Sequence, residues 1–86
     1  MAELPHEVLL EASYAPDTAS RIVDSLTIEA AELDDDRSRT EIDRDGGDVR
    51  IAIAARDLTS LRAACGTWFG LLGVAERAAA IAERGC

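Results

Sequence analysis

The sequence predicts one α+β domain over residues 1–86, a three-stranded antiparallel sheet with two helices on one face, in the order β-α-β-β-α. Three observations predict it. Apolar residues alternate in "HEVLLEASY" and "DVRIAIAA", as half-buried strands require. They recur at three and four residues in two other stretches, as helices require. Gly46-Gly47 joins two extended runs at the spacing of a tight hairpin, where the turn needs positive backbone angles. A chain of 86 residues has room for one core and no second. Placing the first strand beside the third makes all neighbours antiparallel and lets the crossover be right-handed.

The first strand sets Val8, Leu10, Ala12 and Tyr14 on one face and Leu9, Glu11 and Ser13 on the other. Pro16 and Asp17 then open a helix predicted over residues 17–26, with Ala19, Ile22, Val23 and Leu26 as its apolar stripe. The following "TIEAAELDDD" reads as a connector, its three consecutive acids a solvated loop. Across the hairpin, Ile42 is expected opposite Ile51 and Asp43 opposite Arg50, so apolar residues meet on one face and opposite charges on the other. Val49, Ile51 and Ile53 face the core. The strand "SRTEIDRD", charged or hydroxylic apart from Ile42, is expected at a sheet edge, where charge blocks pairing with other chains.

Alternation ends at Ala55, and after Asp57 the period is helical, with no Gly or Pro between. Asp57 is placed to cap the new helix, its carboxylate accepting from free amides of the first turn. That helix is predicted over residues 58–83. Leu61, Cys65, Trp68, Phe69 and Leu72 form one stripe, and Ala64, Leu71, Ala75, Ala78 and Ala82 an adjacent one. Two stripes cover more surface than one sheet face buries, which leaves one for another helix. Gly66, Gly70 and Gly73 each cost about 1 kcal/mol relative to Ala inside a helix. Either they admit a partner helix closely or the helix breaks around residues 70–73.

Only Tyr14, Trp68 and Phe69 are aromatic, so the core is built from Ala, Leu, Ile and Val, and a core this thin favours completion by a second copy. Seventeen acids stand against nine bases, every base an Arg, for a formal charge of −8. Acid excess without Lys suggests a protein adapted to high salt, and a GC-rich coding bias would also favour Arg and Ala. The acid excess also opposes unaided binding to a phosphate backbone. Cys65 and Cys86 form neither a metal pair nor a disulfide framework; Cys65 reads as a small buried hydrophobe and Cys86 as a tail thiol. His6 reads as a strand-edge residue without the partners of a metal site. No apolar run reaches the roughly 18 residues of a membrane span, and no basic stretch precedes a hydrophobic one near the N-terminus, so a cytoplasmic chain is expected. With no nucleophile elbow, no Gly-rich phosphate loop and no second His, neither catalysis nor a cofactor is expected.

The stretch "DGGDVRIAIAARDLTSLRAACGTWFGLLGVAE", preceded by a short helix and a polar strand, resembles the small Pcc-type (CTAG family) subunit of the KEOPS complex. Its most specific part is the alternating strand running into "ARDLTSLRAA". The resemblance implies a non-catalytic scaffold subunit, from a halophilic archaeon on this composition, in the machinery that installs threonylcarbamoyl on the adenosine beside the anticodon of ANN-decoding tRNAs. It implies a dimer made through the sheet, helices packed on those of the transferase subunit, and tRNA held indirectly through the complex. The expected partner face takes in Arg62, Ala63, Gly66, Thr67, Trp68, Gly70, Leu71 and Ala75. Family members carry a polar residue such as Asn, and a basic residue one turn later, where this chain has Gly66 and Gly70; this implies a repacked interface. Arg62 keeps the family's basic position, as a salt bridge within the chain or as a partner contact. Two other classes fit an α+β layout: a KH-type RNA-binding module, which calls for a GXXG loop and a basic face that this chain lacks, and a small regulatory homodimer.

Overall fold

A computed structural model describes residues 4–84. Strands β1 (His6–Ser13), β2 (Ser38–Asp45) and β3 (Asp48–Ala55) alternate with helices α1 (Pro16–Leu33) and α2 (Leu58–Arg84) in the predicted order. The sheet runs β1-β3-β2 with both pairings antiparallel. Ile42 stands opposite Ile51 and Asp43 opposite Arg50, as the hairpin spacing requires. The charged β2 lies at one edge and β1, opened by the half-buried His6, at the other.

One face of the sheet presents Val49, Ile51 and Ile53, each 1% exposed, to Ala19, Ile22 and Leu26 of α1 and to Trp68, Ala75 and Ala79 of α2. Val8, Leu10 and Tyr14 flank this core from β1. Cys65 packs against it, half-buried and unpaired, while Cys86 lies outside the described residues.

Helix α1 is seven residues longer than the predicted 17–26 at its C-terminal end. Ala30 continues its apolar side onto the core, and "TIEAAEL" is rich in the strong helix formers Glu, Ala and Leu. Thr27, a weaker helix former, returns its hydroxyl to the Val23 carbonyl at 2.7 Å. The three acids do not make a plain solvated loop. Asp34 leaves the helix in an extended conformation and accepts the Thr40 amide at 2.9 Å. Asp35 accepts the amides of Arg37 at 2.7 Å and Ser38 at 3.1 Å, which holds its carboxyl below the usual range. The turn into β2 is thus built on carboxylates.

Helix α2 runs unbroken through Gly66, Gly70 and Gly73, so the glycines mark no break. Its phase differs from the predicted stripes. Trp68, Ala75 and Ala79 are buried, whereas Phe69 is 59% exposed and Ala78 and Ala82 lie on the exposed surface. A residue adjacent to a buried one is turned about 100° around the helix, and that rotation carries Phe69 off the core side.

At 27 residues α2 is about 40 Å long, against roughly 27 Å for an eight-residue strand, so its last turns overrun the sheet. There α1 and the residues just before it support it. Tyr14 donates its hydroxyl to Glu76 at 2.7 Å, Thr18 donates to Glu83, and Arg21 pairs with Glu83 at 3.9 Å. Partial burial, then the Glu76 carboxylate, push the Tyr14 phenol well above its ordinary range.

The strand-to-helix junction is held as predicted: the Ser60 amide donates to Asp57 Oδ1 at 2.7 Å. That bond, then the Ser60 hydroxyl, holds the Asp57 carboxyl below its usual range, with Arg56 and His6 adding to it. A depressed folded-state value means stability present above the unfolded pKa and lost as pH falls through the folded one. Asp57→Ala should therefore melt a few degrees below the wild type near neutral pH, with Asp57→Asn nearly unchanged because Asn also caps. The gap to the Ala variant should close in acid, below about pH 4. Thermal melts by circular dichroism across pH read this directly, and a gap that persists unchanged in acid would remove the carboxylate from the cap.

Candidate interaction surfaces

With one face of the sheet filled by helices, the outer side of α2 and the outer side of the sheet are exposed among the described residues. On α2 the thirteen residues between Arg62 and Glu76 include no charged side chain, although charged residues make up 30% of the sequence. Such a run in so charged a chain is unusual for a solvent-facing helix. Phe69 and Val74 stand more than half exposed within it, and Ile81 is 64% exposed further on.

The predicted partner residues divide by helical phase. Arg62, Ala63, Gly66, Thr67 and Gly70 are exposed, and Leu71 is half-buried. Trp68 and Ala75, 2% and 4% exposed, are turned into this chain's own core. Among the described residues Arg62 makes no ion pair within the chain. A Cβ added at Gly66 or Gly70 would meet nothing within 4 Å, so nothing inside this protomer requires glycine at either position. Thr67 donates its hydroxyl back to the Ala63 carbonyl at 3.0 Å. Beside this stretch a groove of about 290 Å³ opens between α1, β2 and α2, lined by Leu33, Ala63, Ala64 and Trp68 together with polar residues that include Asp35, Arg37 and Thr40.

Phe69 and Val74 belong to this surface and sequence reading missed both. The signal was available in the spacing of Trp68, Ala75 and Ala79, seven and four residues apart, which fixes the buried side and leaves Phe69 off it.

The outer face of the sheet is set by the strand register. Glu7, Ala54 and Arg39 form one row across β1, β3 and β2; Leu9, Ala52 and Glu41 form the next; Glu11, Arg50 and Asp43 the third. Leu9 is 52% exposed beside a shallow depression of about 730 Å³ lined by Glu7, Arg39, Glu41, Ala52 and Ala54. Small residues at the centre of a flat face let another sheet approach to the usual spacing of about 10 Å.

Among the described residues no group of three His, Cys, Asp or Glu side chains is placed to hold a metal ion. No described helix is long and apolar enough to cross a membrane. A family model described as transcription factor Pcc1 matches residues 10–80, well over half of the chain. No curated protein matches the chain in sequence.

Proposed function

This chain belongs to the Pcc1 family, the family of small KEOPS subunits, and we propose on that premise that it is a non-catalytic scaffold subunit of a tRNA threonylcarbamoylation complex. It dimerises through the outer face of its sheet, docks the transferase subunit on the outer side of α2, and helps that subunit hold tRNA. The observation that carries this reading is the uncharged, exposed stretch of α2 with open space over Gly66 and Gly70. A protein helix fits such a surface; a phosphate backbone does not. Arg62, Ala63, Gly66, Thr67, Phe69, Gly70 and Val74 form the contact, while Trp68 and Ala75 support it from beneath.

The charge of −8 supports a tRNA contact made largely by the partner. Alone, the chain should bind tRNA weakly; with the transferase subunit present, affinity should rise by roughly tenfold or more over either component at the same salt. Fluorescence polarisation of labelled tRNA measures this. Equal affinity of the transferase subunit with and without this chain would reject the tRNA role.

A further inference from the structure

Two buried side chains open on the groove between α1, β2 and α2, and each brings to it a polar group that has no hydrogen-bond partner among the described residues. Thr40, 7% exposed on β2, donates its backbone amide to Asp34, but its hydroxyl bonds to nothing. Trp68, 2% exposed on α2, likewise leaves its indole N–H unpaired. Among the described residues no side-chain nitrogen or oxygen is both sealed from solvent and unpartnered, so both groups are reached from outside. The groove is the opening that the two residues share. We propose that it receives the carboxamide of an Asn or Gln side chain carried by the protein that covers the outer side of α2. The inference rests on the docking surface proposed above and names a group that anchors it.

Donors and acceptors select that group. The indole N–H only donates, and so does Arg37, which makes no ion pair among the described residues; both call for an acceptor oxygen. Asp35 brings a carboxylate to the same lining, ionised because two backbone amides hold its carboxyl below the usual range, and a carboxylate only accepts. The Thr40 hydroxyl does either. A matching ligand therefore offers an oxygen and N–H groups side by side, as a primary carboxamide does. A carboxylate or phosphate would face Asp35, with Asp34 close by at the Thr40 amide. An ammonium group would face Arg37 and leave the indole N–H unpaired. An apolar side chain would cover both unpaired groups and strand them, at the full cost of their desolvation.

The groove is continuous with the docking surface, since Ala63 and Thr67 line it and also belong to the uncharged stretch of α2. A protein helix seated on that stretch passes over the opening, and about 290 Å³ gives room for one such side chain.

Trp68 is the single tryptophan, so its indole N–H gives one resonance in the NMR spectrum of the isotope-labelled chain. Propionamide, the free Gln side chain, should shift that resonance saturably with a millimolar dissociation constant, and propionate, its isosteric anion, should not. Thr40→Val keeps the shape and removes the hydroxyl. It should melt at or above the wild-type temperature, because no internal bond is lost, yet bind propionamide and the transferase subunit each about fivefold more weakly. Saturation with the transferase subunit should abolish the response to propionamide. No shift with propionamide, an equal shift with propionate, or a Thr40→Val chain that melts lower and binds propionamide as tightly as the wild type would overturn the carboxamide site. A transferase subunit that binds while propionamide still enters would overturn the proposed occupant and leave docking on α2 in place. A transferase subunit that does not bind at all would overturn the docking surface, and this occupant with it, whatever propionamide does.

Discussion

Gly47→Ala is expected to lower the melting temperature by more than 10 °C, whereas Gly46→Ala, one residue away, should lower it by only a few degrees. The two glycines do different work. Gly46 has φ of 61°, the left-handed conformation that a tight hairpin turn needs, and a Cβ there would meet no atom within 4 Å. Its replacement costs about 1 kcal/mol of backbone strain. Gly47 has no unusual φ, but a Cβ on it would collide with the carbonyl oxygen of Tyr14. That collision is backbone against side-chain root, so no rotamer relieves it. The contact exists because the Tyr14 amide donates to the Gly47 carbonyl at 2.8 Å, and the Ser13 hydroxyl donates to Asp48 at 2.8 Å beside it. Relief requires the hairpin to leave the start of α1. An expected loss of about 3 kcal/mol corresponds to roughly 12 to 24 °C for a domain this size. Melting curves for both variants decide it: a Gly47→Ala chain as stable as Gly46→Ala would show that the hairpin is not clamped to Tyr14.

That contact marks where the sequence stops being legible. The hairpin, its register, the core face of β3 and the Asp57 cap follow from local rules, and each depends on residues within about ten positions of one another. The clamp joins Tyr14 to Gly47, and nothing in either neighbourhood announces it. Helix α1 was legible in its start but not its end, because a run of acids after "TIEAAEL" resembles a solvated loop until Asp34 and Asp35 are seen to accept backbone amides. For α2 the outer bounds were legible, but neither its continuity through the glycines nor its rotation was. Adjacent Trp68 and Phe69 are both good core candidates, and a helix of mostly Ala, Leu and Gly has no charged residue between Arg62 and Glu76 to mark its wet side. The tertiary packing that chooses Trp68 also turns Phe69 outward.

The double change Gly66→Leu with Gly70→Leu should leave the fold intact and remove transferase binding, a loss of at least roughly thirtyfold on the scale of an interface hot spot. Residues four apart share one side of a helix, so both new side chains project from the same strip of α2. A Cβ at either position meets no atom of this protomer within 4 Å. Leu is also a better helix former than Gly by somewhat less than 1 kcal/mol per position, and the helix is continuous through both. The variant should therefore melt at or a few degrees above the wild type. A partner helix seated against the two glycines would instead meet two isobutyl groups where its backbone approaches. The outer face of the sheet lies on the opposite side of the domain, so self-association should not change and serves as the internal control. Co-purification and titration calorimetry with the transferase subunit, beside a melting curve, give the result. A folded, dimeric variant that binds the transferase with unchanged affinity would remove the Gly66 and Gly70 strip from the contact and move it to the neighbouring side of α2, where Arg62 and Phe69 are exposed.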